Sequence, residues 1–294
     1  MRYIPGVPVP QNNGLLYLVA TPLGNLADLS QRAVDVLRSV AVIAAEDTRH
    51  SRPLLLHYGI DTPLIAYHEH NENAVAPQLL ARLQQGESVA LISDAGTPLI
   101  SDPGFPLVRL ARAAGIQVTP IPGPCALIAA LSASGLPCDH FYFGGFLPRK
   151  SEARRSALKA LDERSETLVF YESSHRVLDC LQDMAAVLPA ERPLCIAREI
   201  SKHYETIVTT TVAQACALVE QDANMQKGEF VLVVQGQRET VMEDLSAEQR
   251  RVLNILLAGG CTVKSAAAMA AEITGAPRKA CYQAALQAGQ DLQG

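Results

Sequence analysis

The 294-residue sequence contains no apolar run of about 18 residues that is free of glycine, proline and charge, the length that a bilayer-spanning helix needs. Its first residues also lack the apolar core of a secretory signal, so we expect residues 1–13 to form a flexible tail. Positive charge is scarce too, because 25 Lys and Arg stand against 30 Asp and Glu and leave a net charge of −5. Proteins that coat nucleic acid are usually basic throughout, so any nucleic-acid contact here must be local.

Several cofactor and metal signatures are missing as well. The seven cysteines are scattered with no Cys-x-x-Cys pair, which predicts free thiols in a reducing cytoplasm. Neither a Gly-x-Gly-x-x-Gly fingerprint nor a P-loop occurs, which argues against a dinucleotide-dependent oxidoreductase and a P-loop nucleotidase. His68 and His70 have no third ligand at a suitable spacing, so we expect no metal site.

Apolar residues are plentiful, at 48% of the chain, which rules out a disordered protein. The length predicts two domains and a small appendage. Between residues 14 and 123, short continuous apolar runs alternate with amphipathic helical stretches, which predicts βαβ units around a parallel sheet buried on both faces. The predicted strands are 15–20, 40–45, 64–67, 89–93 and 118–121, and the predicted helices are 31–39, 72–85 and 105–114.

A cluster of proline and glycine at residues 122–124 interrupts this alternation and predicts a domain boundary near residue 123. We expect the second α/β domain, residues 124–237, to contain a mixed sheet, because the β-branched run 205–211 follows its neighbour closely. The predicted strands are 141–144, 167–171, 194–197, 205–211 and 229–234, and the predicted helices are 151–162, 174–188 and 212–221.

A charged linker, residues 237–244, leads into a segment of different texture. Ser246 and Gln249 match a capping box that opens a helix, and glycines separate this helix from the second helical stretch and the second from a third. The pattern predicts a helix-turn-helix-like module over residues 244–290. Such a module could contact nucleic acid, or it could be an appendage that packs or dimerises.

Polar residues gather after four of the predicted strands, in loops 21–28, 46–50, 93–104 and 122–126. The carboxyl ends of parallel strands share one edge, and ligands of open α/β sheets bind there. In the third of these loops Asp94 could accept hydrogen bonds from a ligand amine, and Gly96 would let the backbone approach a ligand. The same residues also suit a structural turn, although the Ser-Asp pair recurs at 101–102.

Candidate catalytic residues follow two strands, in the loop 46–50 and at the end of the strand 167–171. Glu46, Asp47 and Arg49 could hold substrate, or Asp47 or Thr48 could cap the next helix while Arg49 pairs with Glu46. Glu172 follows the strand 167–171 in the same way, although the adjacent serines could simply cap a helix. Residues 149–159 hold five cations against one acid, which indicates either phosphate contacts or a solvated helix face. These cations are Arg149, Lys150, Arg154, Arg155 and Lys159, and Arg278 and Lys279 could add to them.

Eight segments, in this order, resemble the tetrapyrrole-methylase superfamily of S-adenosylmethionine-dependent methyltransferases. The resemblance is closest to its bacterial branch that methylates the 2′-hydroxyl of a cytidine in 16S ribosomal RNA, and it covers about residues 14–235. The first loop reads TPLGN, where porphyrin methylases have a glycine-richer G-x-G-x-G-D, which counts against a tetrapyrrole substrate. The segments are TPLGNLADLS, AAEDTRHS, LISDAGTPLISDPG, PGPCALIAALSASGLP, GGFLPRK, FYESSHR, AREISKHYE and KGEFVLVV.

The resemblance implies a two-domain α/β fold with S-adenosylmethionine in the cleft, a homodimer, and the small ribosomal subunit as partner. Glu46, Asp47 and Glu172 are then the candidate general bases, with Arg49 or Lys150 orienting the substrate. Two other functions stay open: a small-molecule methyltransferase and a non-catalytic nucleic-acid-binding protein. The implied cofactor residues are Leu23, Asp94, Gly96, Thr97, Pro98, Cys125, Ala126, Tyr171, Glu172, Ala197 and the segment from Gly228 to Phe230.

Overall fold

A computed structural model describes residues 13–237 and 245–291 of the chain. Nearly all of the predicted tail and most of the predicted linker lie outside these ranges. The chain divides into two compact units, one ending at Gly236 and the other beginning at Gln237. None of the helices in the described ranges is long and apolar enough to cross a membrane.

The first sheet is wholly parallel, as the continuous apolar runs predict, with strand order β3-β2-β4-β1-β5. Its strands are β1 (Leu16–Val19), β2 (Val42–Ala45), β3 (Leu64–Ala66), β4 (Val89–Ile92) and β5 (Val118–Ile121). Its helices are α1 (Gln31–Ser39), α2 (Thr48–His57), α3 (Glu72–Gln84) and α4 (Phe105–Ala113), with a 3-10 turn at Leu26–Asp28.

Helices cover both faces of this sheet, which is why strands β2 and β4 are buried along their whole length. On one face Val34 and Leu37 of α1 pack against Ile43 and Ile92. On the other face Leu79 of α3 belongs to a second cluster. Helix α1 begins where the Ser30 side chain accepts a hydrogen bond from the Ala33 N–H.

The second sheet is mixed, as predicted, with order β6-β7-β10-β8-β9. Strands β6 and β7 run parallel, and the remaining pairs are antiparallel. Its strands are β6 (Phe141–Phe146), β7 (Thr167–Ser173), β8 (Pro193–Arg198), β9 (Thr206–Thr211) and β10 (Glu229–Val234). The helices of this half are α5 (Ala126–Ala133), α6 (Ser151–Leu161), α7 (Val177–Ala185) and α8 (Val212–Gln221), with a 3-10 turn at Ala223–Gln226.

The period-two alternation of strand β7 divides its side chains between two cores. Leu168 and Phe170 face the cluster formed with α6, α7 and α8. Val169 faces the other side, where Leu127 and Leu131 of α5 pack. Helix α5 therefore covers the second sheet, although it directly follows β5 of the first.

Four local features differ from the sequence predictions. Helix α5 was not predicted, since it is apolar without a helical period, and α2, which contains Pro53, was expected only as the helix after Asp47, without bounds. Helix α7 begins at Val177 rather than at residue 174, because Ser173 still belongs to β7 and a turn follows it. Strand β6 runs two residues further than predicted, to Phe146.

The second unit contains three helices, α9 (Ala247–Ala258), α10 (Val263–Thr274) and α11 (Arg278–Asp291). The predicted capping box is confirmed, since Ser246 accepts from Gln249 N–H and the Gln249 side chain accepts from Ser246 N–H. Helix α10 ends at Gly275, whose φ of +68° is left-handed. Its small core includes Leu253, Ala270 and Cys281.

Candidate active site

The two loops that follow β1 and β4 are joined at the carboxyl edge of the parallel sheet. Thr21 N–H donates to the Gly96 carbonyl at 2.9 Å, and Gly96 N–H donates to the Thr21 carbonyl at 3.0 Å. The Thr21 hydroxyl donates to the Ser93 carbonyl at 3.1 Å, which adds a third hydrogen bond between the same two loops. From β1 the chain continues to β2, toward one edge of the sheet, and from β4 it continues to β5, toward the other edge. The space between the ends of β1 and β4 is therefore the switch point where open α/β sheets bind ligands.

A cavity of about 370 Å³ opens beside this corner and is lined by residues from both sheets. That volume is within the usual range for small-molecule sites. Ten lining residues were predicted for the site: Leu23, Glu46, Asp94, Gly96, Thr97, Ala126, Tyr171, Glu172, Glu229 and Phe230. Seven others were not assigned to it: Ala95, Ser101, Asp102, Phe146, Ser173, Ile200 and Val231.

Six predicted site residues do not line this cavity: Asp47, Arg49, Pro98, Cys125, Ala197 and Gly228. Ala197 is fully buried in β8, where it pairs with the lining residue Val231. Gly228 has a φ of +94°, and a Cβ there would lie 2.4 Å from Glu199 Oε1. Its role in the structure is therefore to permit a tight turn before Glu229.

Of the five carboxylates that line the cavity, three act on one another electrostatically, those of Glu46, Asp94 and Asp102. Burial raises the pKa of Asp102 to about 6, and the charges of Glu46 and Asp94 act in the same direction against a hydrogen bond from Ser93. Burial and the charge of Asp94 likewise raise the pKa of Glu46. Close like charges cost free energy, so this cluster favours a cationic ligand group that would relieve the repulsion.

Tyr171 and Glu172, at the end of β7, also line the cavity. Burial raises the pKa of Tyr171 to about 12, and its hydroxyl oxygen accepts a hydrogen bond from Leu127 N–H at 3.2 Å. Glu172 is almost fully buried and forms an ion pair with Arg176 at 3.1 Å. One of its carboxylate oxygens also accepts from Ser173 N–H at 2.8 Å.

Asp47 and Arg49 are engaged with each other outside the cavity. The Asp47 carboxylate caps α2 by accepting from Arg49 N–H at 2.8 Å, and it pairs with the Arg49 guanidinium at 3.0 Å. Hydrogen bonds from the Arg49 side chain and backbone hold the pKa of Asp47 at about 2. The capping interpretation is therefore the one that the structure shows, except that Arg49 pairs with Asp47 instead of Glu46.

The basic segment divides into exposed and buried cations. Arg149, Lys150 and Lys159 are exposed and form no ion pair with a described residue. The prediction of a phosphate contact was wrong for Arg154, because only 3% of it is exposed and its guanidinium pairs with Asp183. Arg155 is half-exposed and pairs with the second oxygen of the same carboxylate at 2.5 Å.

The loop after β4 has an unusual backbone where it borders the cavity. Leu99 and Ser101 have φ values of +73° and +68°, a conformation that costs non-glycine residues free energy and is typical of functional sites. Gly96 has a φ of +81°, and a Cβ there would lie 3.2 Å from Leu23 Cδ2. Glycine thus keeps the backbone open to a ligand at this point.

S-Adenosylmethionine fits these features. Its sulfonium and ammonium groups match the three carboxylates, and its adenine matches the apolar lining that includes Ala126 and Val231. In the described ranges, no group of three or more His, Cys, Asp or Glu is placed to hold a metal ion.

The sequence of residues 15–216 matches the family profile described as tetrapyrrole (corrin/porphyrin) methylases. The chain belongs to the tetrapyrrole methylase family. A second profile, described as the RsmI C-terminal HTH domain, matches residues 243–289 of this family member. Family and enzyme class, a methyltransferase, are therefore as predicted from the eight sequence segments.

Two relatives align with this chain over nearly its whole length. Ribosomal RNA small subunit methyltransferase I of Pseudomonas aeruginosa (strain PAO1) is 56% identical, over 93% of this chain and 97% of its own. The protein of the same name from Escherichia coli O157:H7 is 54% identical, over 94% and 96%. These identities place the chain in the ribosomal RNA small subunit methyltransferase I group.

Solved structures confirm the predicted fold class. Uroporphyrin-III-C-methyltransferase from Thermus thermophilus superposes with a TM-score of 0.54 at 24% identity, covering 76% of this chain and 94% of the other. Diphthine synthase superposes with a TM-score of 0.57 at 17% identity, covering 76% and 90%. Enzymes with different names therefore share the fold, so the fold alone does not determine the substrate, which depends on the residues of the active site.

Proposed function

We propose that this protein methylates the ribose 2′-hydroxyl of a cytidine in 16S ribosomal RNA. The broader activity, S-adenosylmethionine-dependent methylation of ribosomal RNA, follows from the family and from the near-full-length relatives. The observation that supports the RNA assignment best is an acidic cavity with exposed Arg149 and Lys150 four residues or fewer from its lining residue Phe146. Cavity carboxylates suit the cationic donor, and nearby cations suit a phosphate backbone.

When bound, S-adenosylmethionine supplies a methyl group that is already activated for displacement. The cavity residues then have to hold a ribose oxygen in line with that methyl group, at about 3–3.5 Å, and accept its proton. We assign Asp94 and Asp102 to the positive groups of the donor. Among the three bases predicted from sequence, Glu46 has the required access and the raised pKa, so we assign it the hydroxyl proton.

The other two candidates are less suited to proton transfer. Asp47 lies off the cavity and its pKa of about 2 makes it a weak base. Glu172 lines the cavity, but its carboxylate is committed to Arg176 and to Ser173 N–H. We therefore assign Asp47 to helix capping and Glu172 to the architecture of the cavity wall.

A methyl-transfer assay compares the acceptors directly. Tritiated donor is supplied with protein-free 16S rRNA, with small subunits lacking the modification, or with tetrapyrroles. The expected result is tritium in 2′-O-methylcytidine after nucleoside digestion of the RNA. Label in a tetrapyrrole would support the small-molecule alternative, and label in another nucleoside or at a base atom would contradict the 2′-hydroxyl assignment.

Removing residues 237–294 tests the non-catalytic alternative. The cavity residues all lie in the unit that ends at Gly236, so the shortened protein should still bind S-adenosylmethionine in calorimetry. We expect its affinity for small subunits to fall, since the helical unit carries the HTH match and the exposed Arg278. A protein that bound RNA only through this unit would lose all RNA binding and would not bind the donor in either form.

We also propose a cytoplasmic homodimer that acts on the small subunit. Exposed apolar side chains in the first unit, among them Leu56 at 65% and Phe105 at 64%, support an additional contact surface. Sedimentation equilibrium should give twice the 31.5 kDa chain mass. A mass of one chain at micromolar concentration would contradict the dimer.

A further inference from the structure

Phe146 is an exposed aromatic side chain at the mouth of the cavity. It lines the cavity, yet 52% of it remains accessible to solvent. Most phenylalanines are buried, because burial of an apolar side chain stabilises the folded protein. The half-exposed ring of Phe146 lacks part of this stabilisation. Because it lies beside a substrate cavity, we expect the ring to contact a ligand.

A bulge at the end of β6 turns this ring toward the cavity. Phe143 pairs with Val169 of β7 and Phe146 pairs with Tyr171, so three residues of β6 advance where β7 advances two. Gly145 provides the irregularity with a φ of +60°. Bulges of this kind occur beside active sites, where they redirect a side chain.

The ring is held from one side and open on the other. It makes a T-shaped contact with the ring of Tyr171, with 5.8 Å between centroids and 65° between planes. Tyr171 is itself fixed by the hydrogen bond from Leu127 N–H and by an edge contact with Phe143 at 4.9 Å. A ring fixed in this way can offer a face to a ligand without losing much further side-chain entropy.

Two arginines hold the backbone that follows Phe146. Arg176 donates to the carbonyl of Leu147 at 2.6 Å, and Arg154 donates to the carbonyl of Arg149 at 3.3 Å. Both guanidinium charges are neutralised by buried carboxylates, Glu172 for Arg176 and Asp183 for Arg154. The segment therefore has a defined path and carries the exposed side chains of Arg149 and Lys150 next to the ring.

An exposed ring beside exposed cations is the combination that binds unpaired nucleotides. Bases stack on aromatic faces, and the cations neutralise the adjoining phosphates. We infer that Phe146 stacks on the base of the acceptor nucleotide and thereby places its 2′-hydroxyl over the carboxylates of the cavity. This inference rests on the proposed function, and it assigns Phe146 as a positioning residue for the RNA substrate.

Substitution separates stacking from simple apolar contact. Phe146→Leu keeps an apolar side chain without the ring, and Phe146→Tyr keeps the ring. We expect Phe146→Leu to lower kcat/KM for small subunits by about 10- to 100-fold, mainly through KM, and Phe146→Tyr to restore most of it. Phe141→Leu is the matched control, because Phe141 is 40% exposed on the same strand but does not line the cavity.

The donor is the competing stacking partner, and calorimetry with S-adenosylmethionine distinguishes the two. If Phe146 serves the RNA, Phe146→Leu leaves the donor Kd unchanged. A donor Kd that weakens in parallel with kcat/KM would assign the ring to the donor adenine and overturn the inference. Unchanged kinetics in Phe146→Leu would overturn it too.

The absence of tryptophan from the chain allows a direct observation of stacking. Phe146→Trp introduces the sole indole, and its fluorescence should be quenched by protein-free 16S rRNA, whereas the sole indole of Phe141→Trp should not be quenched by the same RNA. Equal quenching in both variants would contradict acceptor stacking. If the wild-type protein methylates no RNA at all, the proposed function fails, whereas wild-type activity retained in Phe146→Leu rejects only the stacking inference.

Discussion

Arg154 and Asp183 form a buried ion pair between α6 and α7. The guanidinium Nε lies 2.6 Å from Asp183 Oδ2, and both side chains are at most 4% exposed. Ser151 and Arg155 bind the other carboxylate oxygen at 2.8 and 2.5 Å. Burial opposes ionisation of Asp183, but these three donors outweigh it and lower its pKa. A residue that sequence pattern assigned to RNA is therefore part of the fold.

We expect Arg154→Met to lower the free energy of unfolding by about 3–5 kcal/mol, since it leaves a buried carboxylate with fewer partners. Arg155→Met is the control, because half of the Arg155 side chain is exposed, and it should cost less than about 1 kcal/mol. Urea denaturation of both variants measures the difference. Equal losses of unfolding free energy in the two variants would mean that burial of the Arg154 ion pair makes no difference to stability.

Exposed cations should control RNA affinity without changing stability. Replacing both Arg149 and Lys150 with alanine is expected to weaken binding of protein-free 16S rRNA and to reduce the slope of log K against log salt by roughly 1.4, at about 0.7 per lost contact with single-stranded RNA. Arg32→Ala, exposed on α1, is the control. Filter binding at salt concentrations between about 50 and 200 mM gives both the affinity and the slope. A slope unchanged from wild type would exclude phosphate contacts here.

Proton transfer by Glu46 is tested under single-turnover conditions. Glu46→Gln should lower the methyl-transfer rate by about 10²- to 10⁴-fold, because a carboxamide cannot accept the hydroxyl proton. Asp47→Asn, one residue away and outside the cavity, should stay within a few-fold of wild type. If Glu46→Gln transfers methyl groups at the wild-type rate, positioning alone explains catalysis.

The raised pKa of Asp102 predicts a specific pH dependence of stability. In the unfolded chain this carboxyl titrates near 4, and in the folded protein near 6, so the folded state binds the proton more tightly. Its contribution is fully present below pH 4 and is lost as pH rises through 6. After allowance for solvent screening, we expect a loss of roughly 1 kcal/mol in wild type that Asp102→Asn does not show.

Urea midpoints measured between pH 4 and 7.5 for both proteins give this comparison. S-adenosylmethionine should reduce the difference, because its cationic groups favour ionised carboxylates. Parallel pH profiles for wild type and Asp102→Asn would show that Asp102 titrates normally.

The elements that the sequence predicted well are those with a one-dimensional signal. Continuous apolar runs identify β2 and β4 because both faces of those strands are buried, and Ser246 marks a helix start because capping is local. Helix α5 was missed because a uniformly apolar segment has no face to detect. The bulge before Phe146 was missed because only its pairing with β7 reveals it.

The sequence by itself determined the two α/β halves, the family and the strand-end loops that surround the cavity, since these depend on local patterns and ordered motifs. Only the tertiary structure decided which polar groups meet. It brought Asp102 beside Glu46, buried Arg154 against Asp183 and committed Asp47 to Arg49. Charge and burial depend on contacts between residues far apart in the chain, and the free energies that set each side chain's role come from those contacts.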